Sequence, residues 1–124
     1  MTARALLFLP LALALVALAA ACGSGTTRPS LPNANAGRGK ALITYYGCGA
    51  CHVIGGLATA NGHVGPDLTT FPGRNTIAGK LPNTAANLSR WIENPQKIAP
   101  GTDMPVLGIG PKGAADIAAY LYSQ

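Results

Sequence analysis

Five consecutive residues, Cys48-Gly49-Ala50-Cys51-His52, place two thiols three positions apart and an imidazole directly after the second. On a single helical turn each thiol can form a thioether to one vinyl group of a porphyrin, and the adjacent imidazole is held under the ring to ligate iron. Cys-x-x-Cys-His is the attachment signal for c-type haem. The other chemistries of a Cys-x-x-Cys pair fit less well. A thioredoxin-like redox centre wants a βαβ pattern around the pair, and the flanks at 41–46 and 55–62 do not supply one. A structural zinc site wants four ligands. After Cys48 and Cys51 only His52 and His63 remain, and adjacent Cys51 and His52 would strain a tetrahedral cage.

The second axial position decides what such an iron can do, since a haem held by histidine alone can bind small molecules while a His/Met haem mainly passes electrons. The chain has two methionines, Met1 and Met104, and only Met104 outlasts removal of a leader. It sits in Pro100-Gly101-Thr102-Asp103-Met104-Pro105, a turn-rich setting able to present one side chain from a loop. The plainer role for Met104 is filling a gap in the core. His63 is the competing ligand; it follows His52 by eleven residues, on the proximal side, and reads as an exposed loop residue. Thioether ligation favours ferrous iron relative to bis-histidine ligation, which points to partners at the oxidising end of a respiratory chain.

From about residue 37 to 122 the chain resembles class I cytochromes c. Gly65-Pro66-Asp67-Leu68 is similar to the family's Gly-Pro-x-Leu segment. The resemblance implies that the Pro66 carbonyl accepts a hydrogen bond from His52, a contact that fixes the tautomer and strengthens the donor. A narrower similarity is to the cytochrome c domain fused to subunit II of caa-type haem-copper oxidases. It is carried by Arg74-Asn75-Thr76-Ile77-Ala78-Gly79, Leu81-Pro82-Asn83-Thr84, Asn87-Leu88, Trp91-Ile92, Asn94-Pro95-Gln96, Pro100-Gly101 and Met104-Pro105, in order. No copper-binding cupredoxin domain accompanies it here. The resemblance implies one haem c bound through Cys48 and Cys51, with His52 and Met104 as axial ligands of the iron. It further implies that the Trp91 indole and Arg74 bond the haem propionates, which need partners if buried. Simple packing for Trp91 and simple solvation for Arg74 are the plainer alternatives.

The elements that must position these residues form a small all-α body, three to four short helices with long loops around the haem, over residues 36–124. A first helix is expected at about 37–46, with Gly39 and Ile43 one turn apart. A last helix at about 112–122 carries Ile117, Tyr120 and Leu121 at helical spacing. The family pattern makes these two cross near the haem, with Gly39 admitting an aromatic such as Tyr120. A middle helix at about 85–94 has Asn83-Thr84 as its cap and Pro95 as its stop. Gly110-Pro111 in place of a strong cap, with Gly113 inside, leaves the first turn of the last helix open to fraying. A chain with 16 Gly, 10 Pro and few aromatic residues gains from a large apolar prosthetic group around which to pack.

Residues 1–21 hold Arg4 and then an almost unbroken apolar run containing Pro10, the pattern of a secretory signal. Export suits haem c, which is attached outside the bacterial cytoplasmic membrane. Leu18-Ala19-Ala20-Ala21-Cys22 resembles a lipobox, with Ala19 where leucine is usual. Acylation of Cys22 would hold the protein on the periplasmic side of a membrane. An ordinary signal-peptidase site after Ala21 and an uncleaved anchor are the other two readings. Residues 22–35, rich in Gly, Ser, Thr, Pro and Asn, then form a flexible tether, about 20 Å in root-mean-square span.

Of the nine Lys and Arg, eight lie beyond the leader, against four acids. Lys40, Lys80, Lys97 and Lys112 are the expected rim charges, suited to acidic patches on a redox partner. Without a basic run or recognition motif, nucleic acid is not an expected partner, and a pure carrier needs no small-molecule substrate. The expected function is a membrane-tethered electron carrier whose partner is a terminal oxidase, a quinol-oxidising complex or a dehydrogenase. The alternatives are a haem enzyme or sensor with an open iron face, and a fixed subunit of a larger oxidoreductase.

Overall fold

The computed structural model describes residues 31–124; the leader, Cys22 and the first part of the expected tether lie outside these. Among the described residues four α-helices carry the fold: α1 (Ala36–Tyr45), α2 (Ala85–Glu93), α3 (Pro95–Ile98) and α4 (Pro111–Tyr122). Two short 3-10 turns, Cys48–Ala50 and Phe71–Gly73, and a two-stranded antiparallel ribbon, β1 (Thr76–Ile77) with β2 (Leu81–Pro82), complete it. The fold is all-α with this one small ribbon among the described residues.

α1 begins one residue earlier than expected because Asn35 caps it, its side chain accepting from the Arg38 N–H at 2.7 Å. A helix N-terminus has unpaired N–H groups, and an Asn at the cap satisfies one of them. The composition of residues 22–35 places Asn35 in the tether. Residues 31–35 are instead docked: Leu31 packs against the core, and the Asn35 N–H donates to Asp116 at 2.7 Å.

α2 follows the expected course, capped by Thr84, which accepts from the Asn87 N–H at 3.2 Å. Its buried face, Ala85, Leu88, Ser89 and Ile92, is the single stripe that a 3.6-residue period produces. Pro95 cannot continue α2 and suits the first turn of a new helix, so α3 starts there, with Asn94 accepting from the Lys97 N–H at 3.0 Å. No local pattern marks α3 as a separate helix.

α4 packs on both α1 and α2. At the α1/α4 crossing a Cβ on Gly39 would stand 1.9 Å from the Asp116 carbonyl oxygen, so only glycine permits this approach. The approach is thus one of backbone to backbone, and Tyr120, one turn further along α4, donates its hydroxyl to the Gly55 carbonyl at 2.8 Å. The first turn of α4 has no side-chain cap, but Ala114 N–H closes it on the Gly110 carbonyl at 3.0 Å. Lys112 adds bonds to the Asn33 carbonyl (3.0 Å) and to Asp116 (2.8 Å).

Asp116 is fully buried and gathers Arg38, Lys112 and the Asn35 N–H. The Arg38 hydrogen bond, followed by those of Lys112 and Asn35, holds its carboxyl well below the usual carboxylate range against the opposing effect of burial. A charge this deep needs such partners, and they lock the start of the domain to its last helix.

Candidate haem-binding site

α1 ends at Tyr46, and Gly47, with φ 69°, turns the chain so that the 3-10 turn Cys48–Ala50 follows at once. Cys51 N–H and His52 N–H both donate to the Cys48 carbonyl, at 3.2 and 3.0 Å, so Cys48, Cys51 and His52 share one turn. Both cysteines are free thiols, half-buried, and burial pushes the Cys48 thiol up from its ordinary pKa.

The segment after the motif folds back onto it. Gly65 N–H donates to the Cys51 carbonyl and Leu68 N–H to the Val53 carbonyl, each at 2.8 Å. This brings the Pro66 carbonyl to 2.8 Å from His52 Nδ1. Facing a carbonyl, Nδ1 carries the proton, which leaves the Nε2 lone pair as the ligating site. The ring lies tight against Gly65, where a Cβ would stand 2.3 Å from His52 Cε1.

His52, Cys48 and Cys51 open onto a cleft of about 450 Å³, within the range of cofactor sites. Its walls are chiefly apolar: Ile43 from α1, Leu88 and Ile92 from α2, Ile117 and Leu121 from α4. Pro66, Arg74, Trp91 and Met104 all line the same cleft. The fold therefore gathers every site residue named from the sequence among the described residues. His63 is exposed and is not on the cleft wall. Neither Lys40, Lys80, Lys97 nor Lys112 lines it, and Lys112 is paired with Asp116.

Met104 is half-buried on a loop without regular structure. Arg74 donates to the Asp67 carbonyl, and its own carbonyl accepts from Asn83 Nδ2 at 2.9 Å. Asn83, read from the sequence as part of a helix cap, is a staple instead. Its Nδ2 also reaches the Phe71 carbonyl (3.2 Å), and its Oδ1 accepts from the Tyr122 hydroxyl at 2.6 Å. That residue joins the Arg74 loop to α4. No local pattern marks it, because the partners are distant in sequence.

These residues fit haem c. They supply two thiols on one turn, a tautomer-fixed imidazole, a thioether and apolar walls, each of the chemical type the group needs.

A short all-α body closed around one broad apolar cleft, with a Cys-x-x-Cys-His turn in its wall, is the architecture of small haem proteins. The family profile described as Cytochrome c matches residues 36–124, and the chain belongs to that family, whose members carry covalent haem and transfer electrons. It is 40% identical over 70 residues to a cytochrome c oxidase subunit 2 of Alkalihalophilus pseudofirmus, a match covering 56% of this chain and 20% of that protein. A cytochrome c oxidase subunit 2 of Bacillus sp. strain PS3 is 30% identical over 79 residues, covering 62% of this chain and 22% of that protein. A cytochrome c2 of Rhodomicrobium vannielii is 32% identical over 89 residues, covering 62% of this chain and 70% of that one. The chain thus spans about a fifth of the length of the two oxidase subunits. No helix among the described residues is long and apolar enough to cross a membrane.

Proposed function

We propose that this chain is a monohaem c-type cytochrome carrying single electrons in a bacterial respiratory chain, to or from a terminal oxidase. The observation that carries the reading is the cleft itself, where His52, tautomer-fixed by Pro66, and Met104 line the same apolar walls. Cys48 and Cys51 would hold the haem by thioethers, and His52 Nε2 and Met104 Sδ would ligate its iron. Once bound, the haem would supply a ferric/ferrous couple. Because the protein itself would supply both ligands, none would need to bind or leave as the couple cycles. Met104 favours the ferrous form, and the apolar walls keep water from the site. Trp91 and Arg74 stand on the wall as donors for the propionates.

The similarity to two proteins named cytochrome c oxidase subunit 2 supports a terminal oxidase as partner. Because the similarity covers a small share of each, a fixed place in a larger complex is the second reading; stable co-purification separates it from a free shuttle. The leader-like pattern of residues 1–21 supports export, and the periplasmic side of a membrane is the proposed location, with Cys22 acylated. Mass spectrometry of the mature N-terminus tests the anchor.

The test of the core proposal is the visible spectrum of the protein produced with a c-haem maturation system. A far-red band in the ferric form and no response of the ferrous form to carbon monoxide are expected. Absence of the band together with rapid gas binding would replace the carrier reading with that of an open-iron enzyme or sensor.

A further inference from the structure

The loop bearing Met104 is held by one side chain of α3. Gln96 is half-buried. Its Nε2 donates to the Thr102 carbonyl at 2.7 Å and to the Met104 carbonyl at 3.1 Å, and its Oε1 accepts from the Gly101 N–H at 3.0 Å. One primary amide thus uses both of its N–H donors and its oxygen on three backbone groups of the same loop. They bracket Asp103 and include the peptide unit of Met104 itself. Gln96 is in turn fixed by its helix: Pro95 beside it is buried, and Asn94 caps the turn. The loop makes few other backbone bonds of its own; Thr102 N–H to the Ala99 carbonyl, at 3.1 Å, is one.

We propose that Gln96 is the positioning residue of the sixth ligand, holding the Met104 backbone so that its thioether faces the cleft without a search over loop conformations. The inference rests on the reading that Met104 ligates the iron. A loop residue with nothing to hold it loses conformational freedom each time it coordinates. Three hydrogen bonds to the backbone of its loop, one of them at Met104 itself, remove much of that freedom beforehand, which is preorganisation. Removing them should raise the population in which Met104 is detached by about tenfold or more, given the ordinary net strength of such bonds.

Ferric holoprotein of the full chain, titrated with imidazole while the far-red band is followed, gives the test. In Q96A and Q96M the dissociation constant for imidazole should fall about tenfold or more, and Q96E, which keeps only the acceptor for Gly101, should lie between them and wild type. Q96M fills the space of glutamine without its hydrogen bonds, so a role in packing alone would leave Q96M like wild type and alter only Q96A; that result overturns the proposal, as does a constant within twofold of wild type in both. Should Q96A not accumulate as holoprotein, Q96M and Q96E carry the comparison. A wild-type protein lacking the far-red band removes Met104 as ligand, and the role of Gln96 goes with it. A wild type that has the band, with indifferent variants, removes only the latter.

Discussion

At His52 the fold makes a choice between two nitrogens. Nδ1, 2.8 Å from the Pro66 carbonyl, donates its proton there, and the partial negative charge this leaves on the ring makes Nε2 a better donor to a metal. The contact depends on Gly65, whose missing side chain is the space occupied by the imidazole edge. In G65A a methyl group would stand where the ring lies, so either the ring or the 65–68 segment must move. The expected result is a lengthened His52 to Pro66 bond, a weaker donor and a reduction potential above that of wild type, read by voltammetry on the holoprotein. Stability should also fall by about 1–3 kcal/mol, the usual cost of overpacking. A potential at or below the wild-type value would mean that the ring keeps its bond and that Gly65 serves only the turn. Gly65-Pro66 showed in the sequence through a family pattern, whereas Gln96 and Asn83 did not show at all. Their partners are backbone carbonyls, which no residue type announces.

The helices divide in the same manner. α2 is legible because a cap and a stopping proline point the same way, and α1 and α4 are legible from their spacing. What holds α1 to α4 is not. Gly39 is recognisable as small, but its neighbour is the backbone of Asp116, and nothing in the sequence sets Asp116 apart from the other three acids. In the fold it is buried and charged, and it joins α1, α4 and residues 33–35. Its lowered pKa has a direct consequence for stability. The unfolded chain takes up the proton near pH 4 while the folded chain resists it, so the stabilisation is whole above that pH and is lost as pH falls further toward the folded value. Chemical denaturation between pH 7 and pH 3 should show this loss in wild type and a flatter acid limb in D116N. At neutral pH the variant should be less stable by roughly 3 kcal/mol, because Arg38 and Lys112 lose their shared anion and a buried site is left half-matched. An acid limb of equal slope in both proteins would place the acid sensitivity at other carboxylates, Asp67 first, since its hydrogen bonds with Thr69 lower it as well.

Across the whole molecule, the core and the haem cleft are largely the same residues. Ile43, Phe71, Leu88, Ile92, Ile117 and Leu121 belong to the buried cluster and also form cleft wall. The helices therefore pack on one another and also surround a space of about 450 Å³, and what fills that space completes the core. Leaving the space to water would forgo a large part of the apolar burial on which the marginal stability of a small domain depends. Few hydrogen-bonded strands are available to compensate, and the loops on the cleft side are long. On the proposed reading, covalent attachment and folding are expected to be a single event for this chain. C48S/C51S, made in the same host with its leader, should lack a cooperative thermal transition and most of the helical far-ultraviolet signal, while the holoprotein shows both. The result that would sink this is a haem-free variant with native helicity and a melting temperature within a few degrees of the holoprotein. The apolar walls would then have closed on each other, and the Asp116 cluster and the α1/α4 crossing would suffice to specify the fold. The present geometry argues against that outcome. The crossing and the cluster secure one side of the molecule and α2 rests on α4, while the ribbon residues Thr76 and Ile77 and the Met104 loop stand on the wall of the cleft where the haem belongs.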